Sequence, residues 1–166
     1  MRRTRTTSGL ATAVTAALAA VVLAAGPAAA SGRTILRDTF EGMFPLTDPV
    51  NASPVIAGVN PGGAPWVLDE SSRVRVREDG RITLVVRHLV IPGRDPGNPA
   101  ALMAASLVCD DAVVASTEAF PVSPEGNGHF MGRIAVPHHC DDPVVLVRNA
   151  TNPAGLGAYF AVASED

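Results

Sequence analysis

Between Ser72 and Arg87 the chain carries arginine at positions 73, 75, 77, 81 and 87, and the first three are separated by valines. Alternation of this kind sends the two residue types to opposite sides of an extended strand. A row of guanidinium forks on one side of a sheet matches the oxygens of phosphates and carboxylates. Arg73, Arg75, Arg77, Arg81 and Arg87 are therefore a candidate surface for a polyanion such as an anionic cell-wall polymer, or for another envelope protein. The plainer reading is a solvated strand face that discourages edge-to-edge pairing, with Asp69, Glu70, Glu78 and Asp79 available as ionic partners.

A second constellation surrounds the only two cysteines, Cys109 and Cys140, each of which is followed by two aspartates. In an oxidising compartment the pair is expected to form a disulfide, closing a loop of about thirty residues and stabilising the fold by roughly 3–4 kcal/mol in the chain-entropy model. That bond would bring Asp110 and Asp111 near Asp141 and Asp142, four carboxylates that repel unless a hard cation such as Ca²⁺ joins them. Two exposed Asp-Asp turns are the alternative. His138 and His139 precede Cys140, and His129 is near in sequence. Adjacent histidines on an extended segment point to opposite sides, which works against a shared transition-metal ion.

Several chemistries are excluded by what the chain lacks. All 13 basic residues are arginine, so Schiff-base formation, a P-loop and a Ser-x-x-Lys acyl-enzyme have no lysine to use. The same absence, with abundant Ala, Gly, Pro and Val, points to a GC-rich bacterial genome. Neither a Gly-x-Ser-x-Gly elbow nor a His-Glu-x-x-His helix occurs. Trp66, Tyr159 and five phenylalanines are the only aromatic residues, and a core of this size needs most of them, which argues against a sugar-stacking surface. A catalytic set assembled from distant residues is the competing reading, that of a small extracellular hydrolase or metal-dependent protein.

The address comes from residues 1–30: Arg2, Arg3 and Arg5, an apolar run from Leu10 to Ala25, and Ala28-Ala29-Ala30. This is the pattern of a helical secretory signal peptide cleaved after Ala30. Gly26-Pro27 ends the run after about sixteen residues, short of the roughly twenty needed to span a bilayer. Arg2-Arg3 raises the twin-arginine route, but the hydrophobic residue expected soon after the pair is absent. No cysteine follows the cut to carry a lipid. The product is expected to be secreted, with no membrane association after cleavage. Without the leader, ten arginines face sixteen acids, and a net charge of −6 is a poor match for nucleic acid.

The elements that must position these residues read as short strands in a single domain over 31–166, less regular across 31–65, where Pro45, Pro49, Pro54, Pro61 and Pro65 punctuate the chain. Strands are expected over 34–40, 55–59, 72–77, 81–91, 112–120, 130–136, 143–148 and 156–163. Asn98-Pro99 resembles a helix cap, yet Met103, Ala105, Leu107 and Cys109 alternate, so a strand is favoured there. For the hairpin, a three-residue loop with Gly80 left-handed pairs Val76 with Ile82 and Val74 with Leu84, collecting the apolar residues on one side. By the same alternation His88 falls on the apolar face as a buried, hydrogen-bonded histidine. About seven to nine short strands without a long amphipathic helix mean an all-β fold, an antiparallel β-sandwich that is immunoglobulin-like or a small barrel.

Pro61-Gly-Gly-Ala-Pro-Trp-Val-Leu68, Asp79-Gly80-Arg81, Leu89-Val-Ile-Pro92, Ala105-Ser-Leu-Val-Cys109 and the second cysteine before Pro143-Val-Val-Leu146 together resemble a group of small, uncharacterised secreted proteins of actinobacteria. The resemblance implies a β-rich, two-cysteine fold and carries no activity, ligand or site. The residues lead to a non-enzymatic binding or structural module of the bacterial cell exterior.

Overall fold

A computed structural model describes residues 32–165; the expected leader over residues 1–30 and its cleavage point lie outside them. Ser31–Asp166 forms one compact unit. Its ten strands are β1 (Thr34–Thr39), β2 (Glu41–Gly42), β3 (Arg73–Arg77), β4 (Arg81–Val86), β5 (Leu102–Cys109), β6 (Ala112–Ser116), β7 (Phe120–Pro121), β8 (Gly128–Arg133), β9 (Val144–Asn149) and β10 (Tyr159–Ser164). They form two antiparallel sheets, one ordered β1-β3-β4-β8 and the other β2-β10-β9-β5-β6 with β7 also paired to β5. This is the open sandwich rather than the barrel, and the described residues contain no helix.

The β3–β4 hairpin has the expected register, Val76 opposite Ile82 and Val74 opposite Leu84. Gly80 closes it at φ +81°, a left-handed conformation that glycine adopts without a steric penalty. Its amide donates to Arg77 O and its carbonyl accepts from the Ile134 amide, both at 2.9 Å. A Cβ on Gly80 would lie 2.3 Å from that Ile134 oxygen. The turn thus fixes the register of the hairpin and also the exit of the neighbouring strand β8.

Val74, Val76, Ile82, Leu84 and Val86 point inward and are buried. They meet Met103, Ala105, Leu107, Val145, Val147, Ala161 and Ala163 from the second sheet in one apolar cluster. Trp66 stacks on Phe160 at the same core, with ring centroids 4.1 Å apart. Apart from Phe44 and the half-buried Phe130, the aromatic residues are buried, in keeping with their expected use.

Cys109 and Cys140 are bonded, with Cα atoms 4.9 Å apart. The bridge joins the last residue of β5 to the connection between β8 and β9, which carries the chain from one sheet to the other. No described helix is long and apolar enough to cross a membrane.

Some boundaries differ from the sequence reading. β4 stops at Val86, because the Arg87 amide turns to the Ser72 hydroxyl and His88 takes a positive φ of 51°. His88 is therefore exposed, not buried on the apolar face. The stretch 55–59 makes only an isolated bridge between Ile56 and Val59. The expected strand over 112–120 is divided at Thr117, whose hydroxyl accepts from the Ala105 amide. The 99–109 segment is β5, and Asn98 caps a turn rather than a helix, accepting from the Ala100 amide at 2.8 Å.

Gly80→Ala is expected to cost about 2 kcal/mol or more, since a strained φ alone costs 1–3 kcal/mol and the carbonyl of Ile134 blocks the added methyl; urea unfolding measures it. Replacing both cysteines by serine is expected to lower stability by about 3–4 kcal/mol on loop-closure grounds, read in the same experiment.

Candidate functional site: the arginine face of the four-stranded sheet

The outward side chains of the β1-β3-β4-β8 sheet lie in cross-strand rows fixed by the register. One row runs Thr39, Arg73, Val85, His129 and the next runs Arg37, Arg75, Thr83, Met131. Arg77 and Arg81 flank the turn, and Arg81 stands opposite Arg133. The candidate residues Arg73, Arg75, Arg77 and Arg81 are brought onto one surface. Arg87 lies one residue beyond β4, exposed beside Asp69, whose carboxyl is held below its ordinary range by hydrogen bonds from Ser71, with lesser attraction from His88 and Arg87.

The surface is larger than the sequence indicated. Arg37 and Arg133 join it from β1 and β8, together with His129. A signal existed for Arg133, since His129, Met131 and Arg133 alternate with Phe130 and Gly132. Arg37 was obscured because β1 contains a register shift between Thr34 and Leu36 that breaks its alternation.

Few of these charges are neutralised. The one ion pair among the described residues joins Arg81 Nε to Asp79 Oδ2 at 3.3 Å; Asp69, Glu70 and Glu78 pair with none of the arginines. Arg75 donates to Thr34 Oγ1 through Nε and Nη2 at 3.1 and 2.9 Å. Arg73 donates to the Ser71 carbonyl and Arg133 to the Asp79 carbonyl. Two like-charged pairs, Arg37 with Arg75 and Arg81 with Arg133, occupy directly opposed positions, an arrangement that destabilises a sheet.

The face is not flat. Thr83 and Val85 are short, while Arg37, Arg73, Arg75 and His129 around them are long, and together with Asp38 they line a depression of about 660 Å³. This is within the size range of ligand sites. The Asp38 carboxylate accepts from the Thr39 amide at 2.7 Å.

The other candidates lie in the β5–β6 turn and in the connection from β8 to β9. Asp110, Asp111, Asp141 and Asp142 are all exposed. Asp110 and Asp111 have positive φ and form the two-residue turn between β5 and β6, and Asp142 is also left-handed. Among the described residues no three His, Cys, Asp or Glu side chains are placed to hold a metal ion. His138 and His139 border a separate depression with Asp141, Asp142 and Glu78, whereas His129 lies on the arginine face.

Arg37→Glu places a carboxylate opposite Arg75 and is expected to raise stability by about 0.2–1 kcal/mol at low salt, with the gain fading as ionic strength rises; urea unfolding at two salt concentrations measures it. No protein-family model, curated protein or solved structure matches this chain, so the role of the arginine face has to follow from its own chemistry.

Proposed function

We propose that the chain is exported to the bacterial cell exterior, in keeping with the small secreted actinobacterial proteins it resembles, and works there as a non-enzymatic module that binds an anionic wall polymer. The observation that carries this reading is the set of outward arginines with one carboxylate partner among them and two like-charged pairs in register. Such an array lowers stability when empty and is relieved by an anion that bridges it. Export is supported by the charged, apolar and small-residue pattern of residues 1–30 and by the closed Cys109–Cys140 bond.

The test is thermal unfolding of the chain without its leader, with and without anionic polymers. A ligand selective for the native state at a hundred times its Kd adds about 2.7 kcal/mol, so the midpoint is expected to rise by several degrees at low salt and by less at 200 mM salt. No shift with any polyanion would overturn the proposal. So would protein-dependent turnover of an ester, peptide or glycan that is lost on mutating one serine or histidine, the outcome expected of a hydrolase.

A further inference from the structure

We infer that the depression on the arginine face is a site for an extended polyol-phosphate chain, one phosphodiester being held among Arg37, Arg73 and Arg75 while the polyol lies on Thr83 and Val85. The inference rests on the proposed function and names the ligand of that same surface.

Shape comes first. The floor is β4, through Thr83 and Val85; Arg73 and Arg75 of β3 and, beyond them, Arg37 and Thr39 of β1 line one side, and His129 of β8 lines the other. Neighbouring strands lie about 4.8 Å apart, so the trough is about 10 Å across between β3 and β8. That admits one extended chain and excludes a nucleic-acid duplex or a folded domain.

Spacing comes second. Arg73, Arg75 and Arg77 recur every second residue, about 6.8 Å apart along the strand. A polymer with one charge per six chain atoms advances by about 7 Å when extended, as six bonds of peptide backbone do. A three-carbon polyol joined by phosphodiesters has this repeat, since each unit contributes one phosphorus, two oxygens and three carbons. Charges spaced more closely or more widely drift out of phase with the row of arginine positions along β3 within a few units.

Chemistry comes third. Arg37 and Arg75 approach from adjacent strands and Arg73 from one strand position further along, which suits a tetrahedral phosphate better than a planar carboxylate. Thr83 offers a hydroxyl and Val85 a methyl surface to a chain of alternating hydroxyl and methylene groups. Single-stranded nucleic acid has the same six-atom repeat but binds through aromatic stacking platforms. Trp66, Tyr159, Phe120 and Phe160 are all buried, and the outward rows contain no aromatic residue except the His129 ring.

The experiment is calorimetric titration of the chain without its leader, Ser31–Asp166 being a compact unit of its own. The probe is a synthetic 1,3-glycerol-phosphate oligomer; inorganic polyphosphate, poly-α-glutamate and oligothymidylate of equal charge are the comparators. Thr83→Trp fills the trough without changing charge and is expected to weaken binding tenfold or more; Val85→Tyr serves the same purpose if the first variant fails to fold. Arg75→Lys keeps the charge, loses the fork and is expected to cost severalfold, whereas Arg77→Gln, outside the depression, is expected to cost about twofold. If the trough-filling variant binds as the wild type does, or polyphosphate binds as well as the glycerol-phosphate oligomer, the site is overturned while polyanion binding by the face stands. Tighter binding of oligothymidylate or polyglutamate overturns the ligand class. Absence of binding to every polyanion overturns this inference and the proposed function together.

Discussion

The register of the β3–β4 hairpin is the constraint on which the other features depend. A slip of one residue would send Arg73, Arg75 and Arg77 into the core and Val74 and Val76 into water, because side chains alternate at a period of two. Gly80 prevents the slip by closing a three-residue loop in a conformation unfavourable to other residues. The same residue accepts from the Ile134 amide, and the Asp79 carbonyl receives the Arg133 guanidinium. One turn therefore sets the order of side chains on three adjacent strands, and with it the rows that make up the arginine face.

The two sheets divide the work. In β3 and β4, buried and outward positions alternate, as in a sheet with one side in water. In β5 every residue from Met103 to Cys109 is buried, so both of its sides are covered. Part of that cover comes from Arg148, which donates to Ser106 Oγ and to the Leu156 and Gly157 carbonyls. Its burial lowers its proton affinity without a carboxylate to offset it. This arginine is structural, holding the 150–157 connection to the sheet. The disulfide has a similar role in the connection from β8 to β9, tying Cys140 to the end of β5. These fastenings leave the four-stranded sheet as the one with an open, charged face.

How much of this was legible follows from where local pattern and tertiary contact coincide. Val74, Val76, Ile82 and Leu84 alternate cleanly around a turn sequence, so their pairing and the outward arginines could be read directly. β1 could be placed, but its register shift between Thr34 and Leu36 hid the phase of Arg37. His88 was misplaced because nothing near it in sequence marks the end of β4; the strand ends when the Ser72 hydroxyl, fifteen residues away, takes the Arg87 amide. Thr117 divides an apparently continuous strand through a bond to Ala105, again a distant partner. The depression was not legible, because it arises from side-chain lengths on four strands that only the sheet order brings side by side.

That sheet order also decides between the two meanings of a charged strand. Charges that guard against aggregation belong on edge strands, where unpaired backbone groups invite another chain. In the order β1-β3-β4-β8, the strand richest in arginine is β3, with three, and it is interior, hydrogen-bonded on both sides. Edge protection gives the β3 row nothing to do. Solvation alone does not account for these arginines either, since opposed threonines or arginine–glutamate pairs would be equally soluble without the repulsion between Arg37 and Arg75 or between Arg81 and Arg133. A chain with an excess of acids nonetheless gathers six arginines on one sheet surface and pairs only one of them with a carboxylate, that of Asp79. Local arrangements that work against stability without benefit to folding are expected where function requires them. Here the requirement that fits is a partner supplying the missing negative charge.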